Sequence, residues 1–225
     1  MDDGAQMFDV EADRYDAWFD RPDGKILFAN ELAALRLLWR ETFHPALEIG
    51  VGTGRFAQAL GVEHGVDPAG RALALASARG VKTICGRGEA LPFSDASFSG
   101  VLLVTALGFT ACPVAVLREA ARVLRPGGHV LVGEIPRDSI WGRSCLHAKH
   151  AGDPFFARMR MFTVDEFGAL LIAAGFKPVA FASTLIQSTP DSPQPEKPQL
   201  SCVDGAGFVS VLAARSDTVT QCVTT

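Results

Sequence analysis

The chain has 225 residues, 48% of them hydrophobic, with a formal net charge of −4. That is apolar material for one substantial core but not for two ordinary domains, and the acidic balance provides no overall field to draw the chain onto nucleic acid or an anionic membrane. The start Met1-Asp2-Asp3-Gly4-Ala5 lacks a basic, apolar leader, Val101 to Phe109 is far short of the roughly 20 apolar residues of a membrane helix, and Cys85, Cys112, Cys145, Cys202 and Cys222 form no CxxC pair; a cytoplasmic protein with reduced thiols and no metal site is expected.

In chain order, Met1 to Leu38 holds aromatic-bearing helical stretches, and residues 1–42 are expected to form an N-terminal helical cap. Ala46 to Val51 reads as a buried first strand stopped by glycines, followed by a helix from Gly54 to Leu60. His64 to Asp67 is a second strand, with Pro68 a helix opener and Ala69 to Arg79 a good helix former. Val81 to Cys85 is the third strand, and Phe98 to Leu107 is apolar throughout, as a strand covered on both faces should be. Pro113 suits a first helical position, with Val114, Leu117, Ala121 and Leu124 at spacings of three and four. Arg125-Pro126-Gly127-Gly128 is expected to end that helix and turn the chain into a fifth strand, His129 to Gly133.

Pro136 to Phe162 is a polar insertion, expected as a substrate lid. Thr163 and Glu166 form a capping-box pattern before Phe167, Leu170, Leu171 and Ala174, and Gly175 closes that helix. Val179 to Ile186 and Phe208 to Ala213 read as a last strand pair, antiparallel because no helix separates them. Between them, Ser188 to Ser201 carries Pro190, Pro193, Pro195 and Pro198, expected as a flexible surface loop. Residues 216–225 form a polar tail. Alternating strands and helices predict an α/β fold: a Rossmann-like, doubly wound, seven-stranded mixed sheet over residues 43–215, parallel except for one antiparallel strand at the edge, with helices on both faces.

The segment Glu48-Ile49-Gly50-Val51-Gly52-Thr53-Gly54 carries the functional argument. Glycines at alternate positions after a buried strand let the backbone turn and approach a ligand, and the next helix offers free N–H groups. A dinucleotide site spaces its glycines GxGxxG; here Arg55 stands where the third would fall. Asp67, at the end of the next strand, is placed to accept ribose hydroxyls. The pair fits any adenosine cofactor without choosing between nicotinamide and sulfonium.

The choice comes from a resemblance. Leu47 to Gly54, Gly65-Val66-Asp67-Pro68, Gly88-Glu89-Ala90-Leu91-Pro92-Phe93 with Ser97-Phe98, and Leu117 to Gly128, ending Val123-Leu124-Arg125-Pro126-Gly127-Gly128, occur in the order found in class I methyltransferases. The sequence resembles in particular the group related to ubiquinone and menaquinone C-methyltransferases, over about Phe43 to Val179. The resemblance implies S-adenosyl-L-methionine as cofactor. Glu48, Gly50, Gly52 and Gly54 would hold its methionine end, Asp67 its ribose, Gly88 and Glu89 its adenine, and Thr105 would border the methyl group. The chain departs from the pattern at Arg87, where that family often has an acidic residue for the adenine amino group, and at Ser99, which replaces an aspartate.

Methyl transfer from a sulfonium is an in-line displacement, served by orientation and a dry pocket, with a base wherever the acceptor must lose a proton. The acceptor is expected beyond the strand C-termini. Tyr15, Trp18 and Phe19 are candidate walls; Tyr15, Glu134, His147 and His150 are candidate catalytic groups. Trp141, Arg143 and Lys149 come with the insertion, whose positive charge favours an anionic acceptor, and Cys112 and Cys145 raise a soft-element alternative. A small-molecule acceptor and a monomer or homodimer are expected, without nucleic acid or membrane. The competing readings are a cofactor-binding protein without catalysis and a nucleotide-cofactor oxidoreductase.

Overall fold

The computed structural model describes residues 3–153 and 155–216. Within these, β1 (Ala46–Ile49), β2 (His64–Asp67), β3 (Lys82–Cys85), β4 (Phe98–Val104), β5 (Leu124–Glu134), β6 (Phe176–Thr184) and β7 (Phe208–Arg215) form one sheet. Its order is β3-β2-β1-β4-β5-β7-β6. Leu47 of β1 pairs with His64 on one side and Val101 on the other, both in parallel, so β1 is central. β7 runs antiparallel to both its neighbours, β5 and β6. The reversed strand therefore lies one place in from the edge, and β6 takes the outermost position.

Both faces of the sheet are covered, and consecutive residues of the central strands alternate between two cores. Val101 and Leu103 join Val130 and Val132 in one, while Leu102, Val104 and Leu131 belong to the other. The first core lies under α5 (Pro113–Val123) and α7 (Val164–Ala173), the second under α2 (Pro22–Leu38), α3 (Arg55–Leu60) and α4 (Gly70–Ala78). Burying each large aliphatic side chain contributes roughly 1.5–3 kcal/mol before chain entropy is counted. α5 starts on Pro113, buries Val116, Leu117, Ala120 and Val123 along one stripe, and stops as Leu124 turns extended. Both halves of the α7 capping box are made, Thr163 accepting from the Glu166 N–H and Glu166 from the Thr163 N–H.

Four differences from the sequence expectation have local causes. β4 leaves the sheet at Thr105, whose φ is 48°, so Leu107–Phe109 forms a short 3-10 turn rather than more strand. The Arg125–Gly128 turn is a bulge inside β5: the pairing with β4 jumps from Phe98↔Leu124 to Gly100↔His129. The insertion contains α6 (Ile140–His150), opened by Ser139 Oγ accepting from the Gly142 N–H. The proline-rich loop, read from the sequence as a surface loop, makes specific contacts: Asn30 donates to the Gln194 carbonyl and accepts from the Glu196 N–H, and Trp141 Nε1 donates to the Ser188 carbonyl. The expected polar tail, from 217 on, lies outside the described residues.

Ahead of the sheet, α1 (Asp3–Trp18) lies across α4. Asp9, Asp13, Asp16 and Asp20 form a stripe at spacings of four, three and four. Asp9 accepts from the Arg71 N–H at the start of α4, and Asp13 pairs with the Arg71 guanidinium at 2.7 Å. Asp16 is gripped by Arg55 and Arg79, each at 2.8 Å, and Arg79 also donates to the Thr53 carbonyl. Burial alone would raise the Asp16 carboxyl, but hydrogen bonds from Arg55, Arg79 and Thr53 outweigh it and hold it at about 2. The next stripe round, Phe8, Ala12, Tyr15 and Phe19, faces inward.

Candidate functional site

At the carboxyl end of β1 the chain turns through Gly50, Gly52 and Gly54, all with positive φ. Two of these glycines do different work. A Cβ on Gly54 would sit 2.8 Å from Cα and Cβ of Ala76, so its smallness lets α4 close on the loop. A Cβ on Gly52 would meet nothing within 4 Å; its side lies open, as a backbone cradle for a ligand requires. The Gly52 N–H donates to Asp67 Oδ2 at 3.0 Å, and the Ala69 N–H to Oδ1 at 2.9 Å. Burial nonetheless raises the Asp67 carboxyl, with these two bonds acting against it. Glu48 lies beneath the loop, raised by burial, with Oε2 bonded to nothing.

From there a cavity of about 360 Å³ runs along the carboxyl ends of the central strands. One end is walled by Gly50, Asp67 and the segment Gly86–Glu89, and Thr105 and Ala106 after β4 also line the cavity. Glu89 Oε1 accepts from the N–H groups of Ala111 and Cys112, and its other oxygen stands 3.7 Å from Arg87 Nε. Thus Gly50, Asp67, Gly88, Glu89 and Thr105 reach the wall, whereas Glu48, Gly52 and Gly54 support it from the loop.

The other end is aromatic. Tyr15 stacks on Phe155 at 4.9 Å, Phe8 meets Phe109 and Phe155 edge-on at 5.0 and 5.2 Å, and Trp18, Phe19 and Trp141 line the same chamber. Ser144, Cys145 and Ala148 present the inner side of α6. One acidic side chain enters this chamber from α2: Glu31, its carboxyl pushed up to about 8 by burial. Burial, then the nearby Glu31 and Glu48, raise the Tyr15 phenol; burial and then Glu31 push the Cys145 thiol up to about 11.

Three of the expected catalytic candidates stand elsewhere. His147 and His150 are exposed on the outer side of α6, off the cavity wall, because Trp141, Cys145 and Ala148 occupy its inner side. Glu134 is buried behind the wall, where it accepts from the Leu107 N–H at 3.3 Å and holds the 3-10 turn; burial raises it to about 8. Two basic residues of the insertion are used internally: Arg143 donates to the Asp138 carbonyl and Lys149 to that of Met159. An anionic acceptor therefore has no support from them. Sequence reasoning missed Glu31, although a signal was present: it lies midway between Leu27 and Leu35, at four-residue spacing along a buried stripe.

Residues 47–132 match the family model described as a methyltransferase domain. An uncharacterised protein of Mycobacterium tuberculosis is 40% identical over 213 residues, 90% of this chain and 72% of its own. A demethylmenaquinone methyltransferase of Mycobacterium bovis is 33% identical over 147 residues, 59% of this chain and 58% of its own. Among solved structures, a SAM-dependent methyltransferase from Thermotoga maritima, described as a "possible histamine N-methyltransferase", superposes with a TM-score of 0.87 at 31% identity, covering 95% of this chain and all of that one.

Proposed function

Because the chain belongs to the S-adenosylmethionine-dependent methyltransferases, we propose that its acceptor is a small, largely apolar molecule held in the aromatic end of the cavity. The cofactor supplies an electrophilic methyl group on a sulfonium. The open side of Gly52 and the wall carboxylate Asp67 fit a ligand with an adenosine part, Gly50, Gly88 and Glu89 complete that end, and Glu48 and Gly54 support it from the loop. Thr105, which lines the same cavity, would border the methyl group. The aromatic walls exclude water from the reacting centre and orient the acceptor, which is most of what an in-line displacement needs. α1 with α2 forms the cap, and the segment from 136 to 162 is the lid.

One observation carries this reading: a single cavity joins the glycine loop to an apolar chamber, so two ligands can meet inside it. A small molecule is favoured over nucleic acid by the size of the chamber and the acidic chain. The test is calorimetric titration of cofactor-stripped protein with S-adenosylhomocysteine, with a nicotinamide dinucleotide as control, followed by transfer of labelled methyl to a panel of phenols, thiols and amines. Histamine belongs in that panel because of the Thermotoga protein's description. Binding of the first ligand alone, with transfer to a panel member, is the expected outcome. Binding without transfer to any acceptor class would instead favour a non-catalytic homologue.

A further inference from the structure

Glu31 lines the cavity, half-buried, and unlike the other carboxylates around it has no protein partner among the described residues. Asn30, its neighbour on α2, spends both ends of its amide on the proline-rich loop. Glu134 accepts from Leu107, Asp67 from Gly52 and Ala69, and Glu48 is held in part by the Ala57 N–H. Among the described residues no donor bonds to Glu31 and no lysine or arginine pairs with it. An ionised carboxylate sunk among apolar groups is costly unless something pairs with it. Trp18, Phe19 and Trp141 stand on the same wall, and Tyr15 and Cys145 feel its field.

A metal ion is a poor partner, because the described residues contain no cluster of three or more ligating side chains. A compact organic cation suits the surroundings, since aromatic faces attract positive charge and a carboxylate neutralises it. We propose that Glu31 anchors the ammonium of a small amine acceptor and takes its proton, making the class of acceptor an amine and the methylated atom nitrogen. An N–H bond of the ammonium breaks, its electron pair stays on nitrogen, and the proton forms an O–H bond with an oxygen of the ionised Glu31 carboxylate. The nitrogen then carries the lone pair that methyl transfer requires, and the proton passes to water when the cavity next opens. Burial places the Glu31 carboxyl at about 8, much nearer to an alkylammonium, at about 10, than an ordinary carboxylate is. This inference rests on the methyltransferase reading above and narrows it.

The experiment is calorimetry on the full chain saturated with S-adenosylhomocysteine, titrated with 2-phenylethylamine and with its neutral analogue 2-phenylethanol. The amine is expected to bind at least about tenfold tighter than the alcohol, a comparison that needs no variant. In Glu31→Gln that preference should vanish while affinity for S-adenosylhomocysteine stays within about twofold; Glu31→Asp should restore part of it. Equal binding of amine and alcohol to the wild-type chain overturns the proposal, as does a Glu31→Gln variant that keeps the preference. Loss of S-adenosylhomocysteine binding in Glu31→Gln also overturns it, by assigning Glu31 to the cofactor's own ammonium. Failure of the wild-type chain to bind S-adenosylhomocysteine is a different result: it removes the parent reading, and this one with it.

Discussion

The two ends of the cavity are built from different materials. The end near Asp67 is made of backbone, from short turns that follow β1, β2, β3 and β4. The chamber around Glu31 is made of side chains, from α1, α2 and the segment between β5 and α7. A backbone cradle depends on where glycines fall, and tolerates little change. A chamber of side chains depends on which residues line it, and on what fastens the helices that carry them.

The largest expected effect attacks the cradle. Gly52→Ala adds a methyl into the open side at a φ of +50°; the backbone strain is about 1–2 kcal/mol, yet S-adenosylhomocysteine affinity should fall about 100-fold by calorimetry. Unchanged affinity would mean that the loop is not where the cofactor lies. Next comes the fastening of α1. Asp16→Asn should lower unfolding free energy in urea by about 2 kcal/mol, since a largely buried carboxylate loses its charge to two arginines. The Asp16 pKa is depressed, so the ionised group's contribution is complete above its ordinary value near 3.8 and disappears as pH falls through about 2. The variant should lack that part of the acid destabilisation.

A smaller effect tests the proposed lid. Trp141→Phe removes the bond to the buried Ser188 carbonyl and should cost about 1–2 kcal/mol of stability, with weaker acceptor binding and unchanged S-adenosylhomocysteine affinity. The smallest belongs to the outer side of α6: His147→Ala and His150→Ala should each leave kcat/KM within about twofold. A larger loss from either would return the outer side of α6 to the reacting site.

The cradle was legible in the chain because it is written in local order. A strand, three spaced glycines and an aspartate on the following strand specify their geometry without reference to distant residues. The chamber was not legible, because its walls meet only after folding: Tyr15, Glu31, Trp141 and Phe155 are far apart in sequence and close in space. The spacing of His147 and His150 said nothing about which side of α6 would face inward; apolar Trp141 and Ala148 decided that. Glu134 lay at the correct strand end but was claimed by the Leu107 N–H. The capping box at Thr163 was readable, whereas the place of β7 inside β6 depends on long-range pairing that no local pattern records.

Arg55 is the first residue of α3, directly after the glycine loop, and its guanidinium is held by α1. The helix that walls the aromatic chamber is thus tied directly to the element that follows the glycine loop. Lifting α1 means parting Arg55 and Arg79 from Asp16 together, and Arg79 in turn holds the Thr53 carbonyl inside the loop. A substitution at any one of these three side chains therefore reaches both ends of the cavity through the same ionic tie.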